Sequence, residues 1–402
     1  MQNKPLTGIR VLEFGGYIAA PYATSILAAL GADVVKVERP VIGEDFRRGV
    51  DDQSPYFIQY NGGKRSLSVD LKTPEGIALV KELIPKFDVI VENIRPGKMD
   101  ALGLGKVDCA LLRPDIVYVS VTGFGNGGPL AQRPAYDMIG QAFGGVIAVL
   151  SDEGNMQPTG TCLADLVTGL STATGVLAAL VGRVHTSGAQ HVETSIAEAV
   201  SAITVDAMTQ LFENRSVDPS RQTRHPQALT FCLKTAGKEF ITIHVSSSQK
   251  FFESLIQAVG RPELKTDPRF ATYTARVENY FELAPIIADE FLKKPAADWE
   301  RLLIEFDVPF SPVNTISQLR TDPQMQWLDL YEPERNGVTQ VRPPWRFDGV
   351  RPARDVPAPK VGQHTREIAA EVYEDARVDD LIENGVLYSG ADRNTKVEAS
   401  RI

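Results

Sequence analysis

Basic charge and cysteine are both scarce in this sequence of 402 residues. Lys and Arg number 42 against 51 Asp and Glu, which gives a formal net charge of −9 at pH 7. Nucleic acids and anionic membranes are bound through basic surfaces, so neither is an expected partner. The three cysteines, Cys109, Cys162 and Cys232, lie far apart and form no CxxC pair. This spacing argues against a disulfide scaffold and favours a reducing compartment, the cytoplasm.

Targeting signals and metal-binding motifs are also missing. The N-terminal segment MQNKPLTGIRVLEF has no apolar run of the kind found in secretion signals. The longest apolar stretch, 166–184, is interrupted by threonine, serine, glycine and arginine, which is typical of a buried helix rather than a membrane span. No metal site is expected, because the histidines show neither HExxH nor HxxxH spacing; they are His185, His191, His225, His244 and His364.

The first two hundred residues alternate between strand-like and helix-like segments. A helix start is clear at Thr73, where a hydroxyl cap precedes Pro74. This alternation predicts an α/β fold with a mostly parallel, doubly wound sheet. The predicted strands are IRVLEF (9–14), DVVKVE (33–38), SLSVDL (66–71), DVIVEN (88–93) and DIVYVSVTG (115–123).

In such sheets the ligand lies beyond the carboxyl ends of the strands. The segments that follow the predicted strands are therefore the places where functional residues are expected. These segments are 15–20, 39–48, 93–97 and 123–136.

The second half of the chain changes in character. The polar segment 215–235 has no apolar period and is interpreted as a linker. A smaller α+β domain is expected over 236–329, followed by a Pro- and Arg-rich tail that returns to the first domain. The large domain is thus predicted to be discontinuous, with residues 1–214 and 330–402, and a last amphipathic helix is predicted over 364–375.

Two segments could carry chemistry. GFGNGG (123–128) is either a plain turn or a glycine segment whose backbone approaches a ligand, and Pro129 argues against a dinucleotide fingerprint. Asp165 lies near the start of a long helix of small residues, TGTCLADLVTGLSTATGVLAAL (159–180). The aligned backbone dipoles there favour an anion. Asp165 is therefore either a helix cap or a catalytic carboxylate.

Nine segments together resemble the class III CoA-transferases of the CaiB–BaiF type, which include formyl-CoA transferase. They follow the family order along nearly the whole chain. The segments are VLEFGGYIAAPYAT (11–24), LGADVVKVER (30–39), YNGGKRSLSVDLKTPEG (60–76), DVIVENIRPG (88–97), YVSVTGFGNGGP (118–129), RPAYDMIGQAFGG (133–145), ADLVTG (164–169), GRPELKTDPRFAT (260–272) and PVNT (312–315).

The resemblance implies a Rossmann-like large domain, a small domain, and two ring-shaped subunits interlocked as a homodimer. It also implies that Asp165 is the nucleophile, which forms a mixed anhydride with the acyl group and then an aspartyl-CoA thioester. The substrates would be an acyl-CoA and a small carboxylic acid, with no tightly bound cofactor. Covalent steps of this kind divide one difficult exchange into easier ones.

Further site residues are carried over from the resemblance one at a time. Arg39, Lys72 and the Asn93–Ile94 pair match residues that contact CoA, and Arg133 lies one position from a basic residue of formyl-CoA transferase. Gly123 and Phe124 belong to the glycine segment expected to approach the cofactor. Tyr136 matches an active-site tyrosine, whereas the neighbouring Asp137 is expected to be structural. Glu198 is expected to cap or bridge within its helix.

The residues expected around the acyl group set the substrate. Ile18 replaces a glutamine of formyl-CoA transferase, and no glycine tetrad occurs between 225 and 250, so transfer from formyl-CoA to oxalate is not expected. Tyr56 does match. Arg47 is either a bidentate clamp for an acceptor carboxylate or the anchor of its own loop; the clamp would favour a dicarboxylic acid such as succinate.

Three other functions compete with this interpretation. An α-methylacyl-CoA racemase would carry histidine at the place of Tyr136, and a nicotinamide dehydrogenase would need GxGxxG after the first strand, where the chain has EFGGYIAAP. A catalytically silent CoA-binding protein on the same fold is disfavoured by Asp165.

Overall fold

The computed structural model describes residues 4–48, 52–335 and 337–390, which divide into two compact units. Of the described residues, the large unit comprises those within 4–145, 159–203 and 327–390, and the small unit comprises 146–158 and 204–326. Within the segment expected to be a linker, 221–228 are helical and 230–234 form a strand.

The strands follow the chain in the order β1 (Arg10–Phe14), β2 (Asp33–Glu38), β3 (Lys64–Val69), β4 (Val89–Glu92), β5 (Val117–Thr122), β6 (Gln190–Ser195), β7 (Thr230–Lys234), β8 (Phe240–His244), β9 (Phe310–Pro312) and β10 (Leu387–Tyr388).

The helices are α1 (Ala19–Ala29), α2 (Pro55–Asn61), α3 (Pro74–Leu83), α4 (Lys98–Ala101), α5 (Lys106–Leu112), α6 (Asp137–Phe143), α7 (Val146–Leu150), α8 (Leu163–Gly182), α9 (Ile196–Ile203), α10 (Val205–Glu213), α11 (Arg221–Ala228), α12 (Gln249–Ala258), α13 (Tyr273–Glu278), α14 (Tyr280–Phe291), α15 (Ala296–Glu305), α16 (Ile316–Leu319), α17 (Pro323–Trp327), α18 (Thr365–Ala369) and α19 (Asp375–Glu383).

The large unit is built on a sheet of seven strands in the order β10-β3-β2-β1-β4-β5-β6. All its pairings are parallel except that of β10 with β3. The prediction of a mostly parallel α/β sheet is therefore confirmed. The five predicted strands all form, whereas β6 and β10 were not anticipated.

Apolar cores cover both faces of this sheet. One core joins the sheet to α3 and α19, and the other joins it to α1 and α8. The predicted start of α3 is confirmed, because the Thr73 hydroxyl accepts from the Gly76 N–H at 3.1 Å. The single helix predicted over 364–375 is wrong: α18 ends at Ala369 and α19 begins only at Asp375.

Among the helices of the described residues, α8 alone is long and apolar enough to cross a membrane by length and composition. It packs against α1 within the large unit. A Cβ added at Gly169 would lie 2.8 Å from Tyr22 Cδ1 and 2.9 Å from the Ala19 carbonyl oxygen. Only glycine therefore permits this close approach, which is the environment of a core helix.

The small unit has a three-stranded antiparallel sheet in the order β7-β8-β9. Its own apolar core includes Phe252 of α12, Phe291 of α14 and Trp299 of α15. The rings of Phe291 and Trp299 stack with centroids 4.1 Å apart.

Candidate active site

Two adjoining clefts open at the carboxyl ends of the parallel strands, where the fold class predicts ligand binding. The first, called here the Asp165 cleft, has a volume of about 220 Å³ and is lined by Tyr17, Ile18, Asn93, Ile94, Arg95, Gly123, Arg133, Tyr136 and Asp165, among others. The second, the Arg39 cleft, has a volume of about 390 Å³ and is lined by Tyr17, Arg39, Asp45, Lys72, Asn93 and Ile94, among others. Tyr17, Asn93 and Ile94 line both, so the two clefts are direct neighbours.

Asp165 is held in the first turn of α8 by a residue from another helix. Its backbone N–H donates to Asp137 Oδ1 at 3.1 Å. The other Asp137 oxygen accepts from Gln141 Nε2 at 2.6 Å, and Gln141 is fully buried. Cys162, at the N-cap position, makes no side-chain cap. Asp137 of α6 thus caps α8 in its place, which is the structural role expected for it.

Asp165 is 8% exposed, and no N–H or O–H of the described residues donates to its carboxyl group. Burial and, second, the negative charge of Asp137 raise its pKa to about 7. This direction is opposite to the expectation from the helix dipole. Burial is the main reason for the difference, because it disfavours the charged carboxylate, and the charge of Asp137 at the N-terminus of α8 adds to it.

Asn93 fixes the loop that separates the two clefts. Its side-chain oxygen accepts from the Gly16 N–H at 3.0 Å, and its amide nitrogen donates to the Gly16 carbonyl at 2.9 Å. The next residue, Tyr17, is held in the left-handed region with φ 65°. Its N–H donates to Glu44 at 3.2 Å. A bulky residue in this conformation is strained, and such strain persists where surrounding contacts impose it.

A buried charge cluster beneath this loop was missed by the sequence analysis. Lys36 and Lys64 each contact Glu13 at 2.8 Å, and all three side chains are fully buried. Burial alone would raise the pKa of Glu13, but the two lysines outweigh this effect and lower the pKa to about 2. Lys36 also donates to the Gly15 carbonyl at 2.6 Å. The available signal was weak: Glu13 and Lys36 lie within two predicted strands, and Lys64 shortly precedes a third.

The Arg39 cleft combines cations with an apolar wall. Arg39 Nη2 contacts Asp45 Oδ1 at 2.6 Å, and Arg39 Nε donates to the Gly43 carbonyl at 3.0 Å. Lys72 is exposed, and none of the described residues binds its ammonium group. The apolar lining comes from Phe14, Val37, Val69, Leu71 and Leu102. Such a cleft can hold a planar apolar group beside phosphates.

Arg47 is not available as a clamp for a substrate carboxylate. It is 5% exposed and binds Glu38 through Nε and Nη2, both at 2.7 Å. Its remaining nitrogen donates to the carbonyls of Asp52 and Pro359 at 3.2 and 2.9 Å. The clamp interpretation is therefore wrong, and the loop-anchoring alternative is favoured, with a buried rather than a surface ion pair.

Two other expected site residues lie outside the lining of the Asp165 cleft. Tyr56 is 65% exposed and packs against Phe46 with ring centroids 5.7 Å apart. Phe124 packs edge-on against Phe143 at 5.1 Å. Arg95, which the sequence analysis did not single out, does line the cleft. Its position immediately after Asn93 and Ile94 was the available signal.

Glu198 carries a local structural role. Its side chain accepts from the Ser195 hydroxyl at 2.6 Å, and its N–H donates to the same hydroxyl at 3.1 Å. Among the described residues, no group of three or more His, Cys, Asp and Glu side chains is arranged to hold a metal ion.

Comparisons with known proteins agree on one family. A family model described as CoA-transferase family III matches residues 6–365. The chain is 31% identical over 399 residues to succinyl-CoA:glutarate CoA-transferase of Mus musculus, covering 96% of this chain and 90% of the relative. It is 32% identical over 388 residues to succinate–glutarate CoA-transferase of Agrobacterium fabrum, covering 92% and 96%.

A solved structure shares the fold. The crystal structure of a CAIB/BAIF family protein from Brucella suis is similar with a TM-score of 0.81 and 31% sequence identity. The similarity covers 92% of this chain and 100% of that one.

Proposed function

Because this chain belongs to CoA-transferase family III, an enzyme class that transfers CoA to carboxylic acids, we propose that it moves coenzyme A from an acyl-CoA to a free dicarboxylic acid through Asp165. One observation carries the proposal. A buried carboxyl group, to which none of the described residues donates a hydrogen bond, lines a cleft that adjoins the cleft of Arg39 and Lys72. Two neighbouring clefts of this kind suit a substrate with phosphates at one end and a thioester at the other.

Each of the two clefts holds a different part of the substrate in this proposal. Arg39 and Lys72 bind the phosphate-bearing end of CoA. The pantetheine arm passes Tyr17, Asn93 and Ile94, and brings the thioester carbon to Asp165. Ile18, Tyr136 and the exposed cations Arg95 and Arg133 surround the acyl group. These cations would attract the second carboxylate of a dicarboxylic acid, as the names of the two relatives suggest.

The reaction balances without water or a net proton. The Asp165 carboxylate attacks the thioester carbon, and CoA leaves as a thiolate from the resulting mixed anhydride. The thiolate attacks the aspartyl carbon, releases the donor acid and leaves an aspartyl-CoA thioester. The acceptor carboxylate then displaces CoA to form a second anhydride, and the thiolate takes the new acyl group and restores Asp165. Backbone N–H groups near Gly123 would stabilise the oxyanions.

The assembly and location are part of the same proposal: an interlocked homodimer in the cytoplasm. Helix α10 supports a partner, because it has no buried residue and exposes Val205, Met208 and Phe212 by 62, 52 and 65%. A monomeric mass in sedimentation at micromolar concentration would contradict the dimer.

Hydroxylamine trapping tests the nucleophile. The enzyme is incubated with succinyl-CoA or glutaryl-CoA and quenched with hydroxylamine, which converts an aspartyl thioester or anhydride into a hydroxamate that peptide mass spectrometry locates. We expect the label on Asp165, and neither label nor CoA exchange in Asp165→Ala.

Asp375→Ala is the matched control, because Asp375 is an exposed first-turn aspartate of α19. Label on another residue, or turnover in Asp165→Ala, would refute the assignment. Absence of any label in the unmodified enzyme would favour a silent CoA-binding protein.

A further inference from the structure

Asp45 bridges two residues that line the clefts. One of its carboxylate oxygens contacts Arg39 Nη2 at 2.6 Å, and the other accepts from the Tyr17 hydroxyl at 3.2 Å. The loop that carries Asp45 is anchored by the buried ion pair of Arg47 and Glu38. The Asp45 carboxylate thus extends from an anchored loop and binds one partner through each of its two oxygens.

Tyr17 continues this connection into the Asp165 cleft. Its ring lies edge-on to that of Tyr136 with centroids 5.5 Å apart, and edge-on to that of Phe46 at 5.1 Å. Its backbone is constrained at φ 65° and its N–H is bound to Glu44. Because Gly16 and the Tyr17 N–H are both held by hydrogen bonds, a change in the hydrogen bond of the Tyr17 hydroxyl is expected to move the ring rather than the backbone. Tyr136 is the neighbour that the ring meets in the Asp165 cleft.

We propose that Asp45 and Tyr17 are positioning residues that couple phosphate binding at Arg39 to the placement of Tyr136 beside Asp165. A CoA phosphate competes with Asp45 for the Arg39 guanidinium. The Asp45 carboxylate, having lost Arg39, then forms a stronger hydrogen bond with the Tyr17 hydroxyl, and the Tyr17 ring packs more closely against Tyr136. Binding energy from the remote nucleotide is thereby used at the reacting centre. The inference rests on the proposed function, since it assumes that Arg39 receives the nucleotide end of CoA.

A truncated substrate distinguishes this coupling from the alternative that Tyr17 and Asp45 only line the clefts. Initial rates are measured with succinyl-CoA and with succinyl-pantetheine, which lacks the nucleotide. In the unmodified enzyme we expect kcat, as well as KM, to favour the CoA ester. In Tyr17→Phe and in Asp45→Asn, kcat for the CoA ester should fall about fivefold. In both variants kcat for the pantetheine ester should fall less than kcat for the CoA ester, and KM for the CoA ester should not rise. The double variant should lose no more than either single one.

Matched controls come from outside the clefts. Tyr273→Phe removes a hydroxyl that donates to the Gln227 carbonyl, and Asp355→Asn removes an exposed partner of Lys4. Both should retain the kcat preference for the CoA ester. Equal losses on both substrates would show that Tyr17 only shapes the Asp165 cleft and would overturn the coupling, as would unchanged kcat in both variants. Absence of any transfer by the unmodified enzyme would instead overturn the proposed function, and the coupling with it.

Discussion

Asp165, the proposed nucleophile, has an unusually high proton affinity for a carboxyl group. Burial limits the contact of Asp165 with bulk water, which would protect the proposed mixed anhydride from hydrolysis. The same burial, with Asp137, raises its pKa to about 7. A carboxyl group whose pKa lies near 7 is a stronger base than an exposed one, and hence a stronger nucleophile when ionised.

This pKa predicts a rate that rises with pH. Below about 7 the carboxyl group is protonated and unreactive, so kcat/KM should climb through that pH to a plateau. In Asp137→Asn the side-chain oxygen still accepts from the Asp165 N–H, but the charge that raises the Asp165 pKa is gone. The rising limb should therefore move to lower pH, which a pH–rate profile measures. Asp375→Asn is the control; a limb that stays in place in Asp137→Asn would contradict the electrostatic role of Asp137.

At the scale of the elements, the sequence predicted those strands whose side chains show a recognisable apolar pattern. Strands β1 to β5 were predictable because they are apolar, β-branched or alternating runs bounded by polar residues or glycine. Strand β6, QHVETS, was not, because an edge strand with polar side chains has no apolar pattern. Asp165 was found through family resemblance. The Asp137 cap, the Asn93 clamp on Gly16 and the Glu13 cluster join residues far apart in sequence, so no local pattern could indicate them.

The contact between α1 and α8 yields a prediction at this scale. Gly169→Ala gains up to about 1 kcal/mol in helix propensity. The new Cβ would lie 2.9 Å from the Ala19 carbonyl oxygen, and overpacking of this kind costs about 1–3 kcal/mol. We expect a lower Tm and a lower kcat/KM, because Ala19 and Asp165 both line the Asp165 cleft.

Gly182→Ala is the matched change in the same helix. Its Cβ would lie 3.4 Å from Gln190 Oε1, which is ordinary contact. Thermal unfolding should show this variant at least as stable as the unmodified protein. A Gly169→Ala protein that is equally stable and active would disprove the need for close packing of α8 on α1.

At the scale of the whole molecule, the charge of the protein and that of its proposed substrate have the same sign. The formal net charge is −9, and CoA carries several phosphate charges. Long-range attraction therefore cannot come from the net charge, and binding depends on a local group of cations that includes Arg39 and Lys72. Attraction of this kind extends only about 10 Å at an ionic strength of about 0.1 M.

Salt should consequently weaken acyl-CoA binding without slowing the chemistry. Between about 0.05 and 0.5 M NaCl we expect KM for the CoA ester to rise about three- to tenfold, with kcat unchanged. The dephospho-CoA ester should show a shallower dependence, because it presents less charge to Arg39 and Lys72. Lys72→Gln should reduce the slope, whereas Lys238→Gln in the small unit, an exposed lysine outside both clefts, should leave it intact. A KM independent of salt would place the phosphates of CoA away from the Arg39 cleft, because salt would weaken an attraction between the phosphates and the cations of that cleft.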